Sequence, residues 1–347
     1  ARRVTGADGE EAEPPGRVLP AQAGKWALLI FVVSGFSAMA YEVIWTRLLG
    51  LIIGPTTYSF TLVIATFIVG LALGSLIFGK AGDRVGDIFS LLVGSQAAAA
   101  ILALMVSQFL GDSQFFFGKL IYAFRESFAS RTAVQTGILF GFLLVPTLLL
   151  GATFPLVNKI YARSMASMGR SIGTAYALNT IGAIGGAFTA GFFLIPSLGK
   201  ESGLAAVCAL QLGTALVAFS AVKVRAKGLW HWLPVSAAGI LGVFLVMHYP
   251  SWNHQLLSYG RYRDFGNMKA AFETTGWTDA LLRGPEVLER YEKGREVVFY
   301  GEGIGGFTTV ERLTDSLGTV KYTLLNSGKP DASSHGDRST QTLLAHV

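Results

Sequence analysis

Long apolar stretches separated by short polar ones dominate the first 250 positions of the chain. Each stretch has about 20 residues, the length that an α-helix needs to cross the hydrocarbon core of a bilayer. The pattern predicts seven transmembrane spans, at 26–45, 56–79, 88–110, 134–157, 171–196, 202–222 and 229–249. The segment 112–133 is too charged to span, and its apolar residues share one helical face, so we expect it to lie in the membrane interface.

The pattern changes after Trp252, where helical signals give way to three strand-like runs at 296–300, 307–313 and 319–325, followed by a helix start. The first 25 positions are polar and rich in proline and glycine, which favours disorder. The sequence therefore predicts an all-α polytopic membrane bundle of about seven transmembrane helices with a small C-terminal α+β appendage. Its parts are a disordered segment (1–25), a transmembrane domain (26–250), a helical linker (251–295) and the appendage (296–347).

Composition supports a membrane protein. Hydrophobic residues make up 51% of the chain and charged residues only 14%, with a mean hydropathy of +0.48. Soluble domains carry about 25% charged residues, so the composition argues against an ordinary cytosolic enzyme. The 42 glycines suit close packing of membrane helices, as in Gly70-x-x-x-Gly74 and Gly182-x-x-x-Gly186.

The net charge of +6 lies among the hydrophobic segments. Residues 1–250 hold 17 Lys and Arg against 10 Asp and Glu, whereas residues 251–347 hold 11 against 12. We interpret this excess as an orientation signal, which predicts a lipid bilayer and no nucleic acid as the partner. Twelve basic loop residues against five favour a cytoplasmic N-terminus. Seven spans then place the C-terminal tail outside, and an extra span or a re-entrant 112–133 segment would return it inside.

No metal site or cofactor is predicted within this chain. Cys208 is alone, and the five histidines never fall at the i, i+4 spacing of a ligand pair. The GEGIGG run at 301–306 fits a dinucleotide-binding fingerprint, but that mechanism needs a helix directly afterwards. The next residues, FTTVERL, have a β pattern, which favours a hairpin turn.

Polar residues inside the predicted spans are functional candidates, because ionisable groups are costly in a bilayer. Glu42 and Asn179 lie nearest the bilayer interior, together with Gln211. Arg47 is a candidate partner of Glu42, and the sequence leaves open whether Glu42 is an interfacial anchor or part of a functional site.

The loop GKAGDRVGD at 79–87 resembles the loop signature of the major facilitator superfamily, with Gly79, Asp83, Arg84 and Gly86 at the matching positions. The resemblance implies a cytoplasmic loop, in agreement with the charge count. Glycines allow a tight turn there, and Asp83 with Arg84 can brace neighbouring helix ends.

Stretches at 34–59, 149–157, 169–199 and 326–347 together resemble bacterial membrane proteins in which a major-facilitator-like region is fused to a spermidine-synthase-like domain. The resemblance covers the chain after residue 25. It implies that 296–347 is the β-hairpin opening of an AdoMet-type Rossmann domain. It also implies a multi-pass protein of the bacterial inner membrane that transfers an aminopropyl group from decarboxylated AdoMet, as co-substrate, to a polyamine.

The resemblance carries three substrate-binding candidates. Gln341 matches a glutamine that contacts the nucleoside of decarboxylated AdoMet, Asp337 matches the acidic residue that opens the same motif, and Thr340 stands where these synthases have a tyrosine. No catalytic residue is assigned, because the resemblance places the Rossmann glycines and the catalytic aspartate after Val347. We therefore expect the enzyme domain to be incomplete within these 347 residues.

Three functions stay open from the sequence. The first is a membrane-anchored spermidine-synthase-like protein. The second is a transporter-like half bundle that forms a homodimer, which the 79–87 loop favours. The third is a non-catalytic accessory subunit of a larger membrane complex, which the 112–133 segment favours.

Overall fold

The computed structural model describes residues 21–161, 168–223, 237, 239–242, 244, 247–248, 252–260, 268–291, 294–303, 306–315, 318–336 and 338–345. Long helices fill the first two thirds of the chain. They are α1 (Ala21–Ile52), α2 (Thr57–Arg84), α3 (Ile88–Gly111), α4 (Gln114–Ala123), α5 (Phe128–Gly151), α6 (Thr153–Tyr161), α7 (Met168–Thr189), a π-helical segment (Ala190–Leu194) and α8 (Ile195–Lys223).

Five helical stretches among the described residues are long and apolar enough to cross a membrane. They are Gln22–Ile52, Thr57–Arg84, Ile88–Gly111, Phe128–Tyr161 and Gly169–Val222. A helical membrane-type bundle is thus confirmed, whereas the predicted count of about seven spans is not. Most of the predicted span 229–249 lies outside the described residues.

The fifth stretch contains both predicted spans 171–196 and 202–222. Its 54 residues would extend about 80 Å as one straight helix, far more than a bilayer's thickness. Gly199 breaks the helix with a φ of 81°. Before the break, Gly182 packs on Val32 and Gly186 on Phe36, so α7 runs parallel to α1. After it, Gln211 meets Tyr41, and Phe219 joins a cluster with Ala27, so α8 runs back antiparallel to α1.

The segment 112–133 differs from the expected single interfacial helix. It divides into α4 and the first turn of α5, which begins after Ser127, whose side chain accepts a hydrogen bond from the Ser130 amide. α4 is buried on several faces because short helices of the next region cover it. Lys119 lies under this cover and donates hydrogen bonds to the carbonyl oxygens of Phe272 and Thr275.

The covering helices and the sheet form the C-terminal region. The helices are α9 (His254–Ser258), α10 (Lys269–Thr274), α11 (Trp277–Leu282) and α12 (Gly284–Tyr291). An antiparallel sheet of order β1-β2-β3-β4 follows, and then the short helix α13 (Arg338–Ala345). The strands are β1 (Arg295–Gly303), β2 (Gly306–Thr314), β3 (Val320–Asn326) and β4 (Lys329–Ser333). The small sheet at the C-terminal end is thus confirmed, and β4 is a strand that the sequence pattern did not predict.

A buried polar network crosses the bundle interior. The Tyr41 hydroxyl donates to Gln211 Oε1 at 2.7 Å, Gln211 Nε2 donates to Gln96 Oε1 at 2.9 Å, and Gln96 Nε2 donates to Thr153 Oγ1 at 2.8 Å. The Ser34 hydroxyl lies 3.0 Å from Thr153 Oγ1. These neutral groups satisfy one another where water cannot, and they link α1, α3, α6 and α8.

Close backbone contact between α1 and α7 depends on small residues. A Cβ atom added to Gly186 would lie 2.1 Å from the backbone carbonyl oxygen of Phe36, so only glycine fits. The same atom added to the neighbouring Gly185 would lie 3.9 Å from the nearest side chain, an ordinary contact distance.

We therefore predict that Gly186→Ala lowers the free energy of unfolding by about 1–3 kcal/mol, because α7 must move away from α1. Gly185→Ala is the matched control, since it adds the same methyl group at an ordinary contact distance and removes backbone freedom from the unfolded chain. Denaturant unfolding in a neutral detergent, followed by circular dichroism, measures both. Equal stability of the two variants would contradict the close packing of α1 on α7.

Candidate functional site

The predicted substrate-binding residues lie at the end of the described chain. Asp337 lies outside the described residues, and so does the side chain of Thr340 on α13. Gln341, also on α13, is half-buried, and its Nε2 atom has no hydrogen-bond partner among the described residues. Gln341 is thus the predicted substrate-binding group whose surroundings the structure describes.

The polar membrane candidates lie at different positions along the bundle. Glu42 is half-buried on α1, ten residues before the helix ends, whereas the predicted span 26–45 placed it close to a span end. Asn179 on α7 lies against Gly35 of α1. Gly35 and Arg47 are twelve positions apart, about 18 Å along a helix axis, so Asn179 and Arg47 belong to different levels of the bundle.

The 79–87 motif spans the end of α2 and its connection to α3. Gly79, Asp83 and Arg84 lie in the last turns of α2, and Gly86 follows in the connection. Lys159 of α6 donates to Asp83 Oδ1 at 2.6 Å and to the Gly79 carbonyl oxygen. The bracing that the sequence assigned to Asp83 with Arg84 therefore includes a partner from α6, and the Arg84 side chain is exposed.

A buried ion pair joins the membrane bundle to the sheet. Lys200, near the start of α8, lies 2.7 Å from Glu302 of β1, and their side chains are only 4% and 5% exposed. The same carboxylate accepts a hydrogen bond from the Lys200 backbone amide at 3.0 Å and another from the Tyr300 hydroxyl. Burial, and then the nearby Glu302 carboxylate, raise the pKa of Tyr300, so its phenol stays a proton donor to Glu302.

Two further contacts hold the β1–β2 hairpin in place. The Arg47 guanidinium donates to the carbonyl oxygen of Gly303 at 2.9 Å. His254 Nε2 lies 3.1 Å from Glu201 Oε2, and the His254 ring packs against Tyr300 with ring centres 4.9 Å apart. We refer to Arg47, Lys200, Tyr300 and Glu302 as the junction cluster.

A cleft of about 300 Å³ opens beside this cluster, and we refer to it as the junction cleft. It lies between the end of α1, the start of α2, the start of α8 and the β1–β2 hairpin. One part of its wall is polar, with Thr46, Thr56, Ser59 and Ser327 beside the charged residues of the junction cluster, and the other part is apolar, with Leu51, Pro55, Phe60, Ile195 and Phe307. Its volume is at the lower end of the range for small-molecule sites.

Sequence reasoning found Arg47 but missed Lys200 and Glu302. Lys200 was counted only as a loop charge, and Glu302 only as part of the GEGIGG turn. That turn is present as the β1–β2 hairpin, with Gly303 paired to Gly306, and a strand follows it where a dinucleotide site needs a helix. Glu302 could have been recognised from the sequence, since its carboxylate lies between two glycines. A charged residue in a tight hairpin near a membrane needs a partner.

Among the described residues, no group of three or more His, Cys, Asp or Glu side chains is placed to hold a metal ion. The junction cluster combines two cations with one carboxylate, and their contacts hold the hairpin against the helix ends.

We predict that Glu302→Gln lowers the free energy of unfolding by about 3–5 kcal/mol, because it leaves the Lys200 ammonium buried without its counter-charge. Glu296→Gln is the matched control in the same strand, where Glu296 pairs with Arg312 at 2.8 Å on an exposed surface. That change should cost at most about 1 kcal/mol. Unfolding in detergent, with hydrogen exchange of the β1 and β2 amides, measures both, and similar losses would show that the pair does not hold the hairpin.

Comparison of the chain with protein-family models, with curated proteins and with solved structures finds no match. A function for the chain is therefore inferred from the residues of the junction cluster, the junction cleft and α13.

Proposed function

We propose that the chain is a membrane-anchored, spermidine-synthase-like protein, in which the helical bundle holds an aminopropyl-transfer domain against the membrane surface. The main support is the antiparallel sheet, which is followed by helix α13. The Lys200–Glu302 pair holds this sheet against the ends of the membrane helices. This order of a small sheet and then a helix agrees with the resemblance at 326–347.

The outer face of the sheet supports this proposal. Phe299 of β1, Val310 of β2 and Leu324 of β3 are paired in register across the sheet, and Phe299 and Leu324 are exposed. Tyr322 and Val320 on β3 extend this apolar surface. A Rossmann part that supplies the decarboxylated AdoMet site and the base for the attacking amine would pack on such a surface.

The placement of the sheet favours a second candidate, a non-catalytic accessory subunit. The Asp83–Lys159 pair lies where α2 ends, whereas the junction cluster lies where α1 ends, so the sheet is at the bundle end opposite the 79–87 loop. With that loop cytoplasmic, the sheet faces the outside, away from cytosolic decarboxylated AdoMet. A binding partner on the Phe299–Leu324 surface would then replace the enzyme domain.

We predict that the full-length gene product, purified in detergent, transfers the aminopropyl group of decarboxylated AdoMet to putrescine or spermidine, and that Gln341→Ala raises the KM for decarboxylated AdoMet roughly tenfold. Thr342→Ala, one position along on the exposed side of α13, is the matched control and should leave the KM unchanged. Absence of turnover with every polyamine acceptor would reject the catalytic role and leave the accessory role.

The accessory role predicts that Ser333→Cys, at the end of β4, reacts with a membrane-impermeant maleimide in intact cells. Arg84→Cys, an exposed position at the other end of the bundle, should react only after the membrane is permeabilised. The native Cys208 is buried, so it contributes little background. Labelling in the reverse order would place the sheet in the cytoplasm and favour polyamine synthesis.

A further inference from the structure

We propose that a second cleft, between the starts of α2 and α5, binds the headgroup of an anionic phospholipid. This α2–α5 cleft has a volume of about 250 Å³, and its lining residues come from α2 with the turn before it, from α4 and from α5. No residue of the junction cluster or of the sheet is among its described lining residues. The inference therefore goes beyond aminopropyl transfer and does not depend on it.

The charge of the α2–α5 cleft favours an anion. Arg131 of α5 is the one charged side chain among its described lining residues. The Arg131 guanidinium lies over the Phe128 ring, 5.3 Å from the ring centre, and it makes no ion pair with a described residue. Glu126, the nearest carboxylate along the chain, is exposed and does not line the cleft. A guanidinium suits a phosphate, because its N–H groups match two phosphate oxygens at once.

Three hydrogen-bonding side chains extend the polar wall along the first turns of α5. Thr132, Gln135 and Thr136 lie on successive turns of the helix face that lines the cleft. Their side chains make no hydrogen bond with a described residue, whereas Thr147, farther along α5, donates to the Leu143 carbonyl oxygen at 2.9 Å. Thr132 and Gln135 are half-buried and Thr136 is exposed, so a ligand in the cleft can reach them. The phosphate and glycerol oxygens of a lipid are acceptors for these groups.

The level of the cleft along the bundle favours a lipid headgroup. The stretch Phe128–Tyr161, which contains α5 and α6, has 34 residues and extends about 50 Å, beyond the hydrocarbon core of about 30 Å. Its polar start ends before Gly137, and a long apolar run begins at Ile138. Arg131 precedes Ile138 by about 10 Å along the helix axis, which places the guanidinium among the headgroups when the apolar run fills the hydrocarbon core.

The wall opposite α5 is apolar and aromatic. Ile53 and Leu62 line it, and the Tyr58 ring packs on Phe128 with ring centres 5.6 Å apart, both rings being exposed. Aromatic rings are enriched where headgroups meet the hydrocarbon core, so this pair agrees with the level of Arg131. A phospholipid can place its phosphate at Arg131 and its upper acyl carbons against the apolar wall, whereas free phosphate would contact the α5 wall alone.

The test uses the purified full chain in a neutral maltoside detergent and equilibrium binding of radiolabelled short-chain phosphatidylglycerol. We expect saturable binding that is weakened roughly tenfold by Arg131→Gln and several-fold by Thr132→Val. Thr132→Val preserves the shape of the side chain, so it keeps the test valid if Arg131→Gln disturbs the packing on Phe128. Arg125→Gln is the matched control, because Arg125 is an exposed arginine near the start of α5 that lies over the Tyr122 ring and does not line the cleft. This variant should bind like the unmodified chain.

Two competitors identify the ligand. Phosphatidylcholine has no net charge and should compete roughly tenfold more weakly than phosphatidylglycerol, because the Arg131 cation favours a net anion. Inorganic phosphate at the concentration of the lipid should leave the label bound, because it makes no contact with the apolar wall. Displacement by inorganic phosphate would assign the cleft to a soluble anion and overturn the lipid proposal. Equal competition by phosphatidylcholine, unchanged binding to both cleft variants, or the absence of saturable binding would overturn it as well.

Discussion

The Lys200–Glu302 ion pair is the contact on which the relation between the bundle and the sheet depends. Both side chains are almost completely buried, so each charge has lost its water and keeps only the other and a few hydrogen bonds. Such a pair adds little net stability compared with apolar residues, but breaking it is costly. The pair therefore fixes the position of the β1–β2 hairpin beside the end of α1 and the start of α8.

The bundle beneath the hairpin is itself held by contacts that tolerate little change. Gly182 and Gly186 bring α7 onto the backbone of α1, and the Tyr41–Gln211–Gln96–Thr153 hydrogen bonds join α1 to three other helices. Without water in the bilayer there is little hydrophobic force between helices, so close van der Waals contact and satisfied polar groups must supply the association energy. The junction cluster consequently has a rigid base at both Arg47 and Lys200.

The sequence predicted the features that repeat along the chain and missed those that depend on a single distant contact. The apolar spans, the strand runs and the hairpin at GEGIGG could be predicted because each has a local period or a local turn signal. The Lys200–Glu302 pair joins positions 102 residues apart, and no local pattern around either residue indicates its partner. The end of α1 was also placed too early, at 45, because Arg47 resembles a flanking charge, whereas the helix continues to Ile52. Arg47 is tolerated inside the helix because the Gly303 carbonyl oxygen and the cleft receive its guanidinium.

The junction cleft and the docked hairpin are physically coupled, because they share Arg47, Lys200 and Glu302. The Lys200–Glu302 pair and the Arg47–Gly303 hydrogen bond lie in the wall of the cleft, so a change that opens the cleft also disturbs the contacts that hold the hairpin. A molecule that filled the cleft would therefore favour the docked arrangement over any arrangement in which the hairpin leaves the helix ends, by the difference in its affinity for the two. Whatever packs on the Phe299–Leu324 surface, an enzyme domain or a partner subunit, would then be held in an orientation that the junction cluster sets.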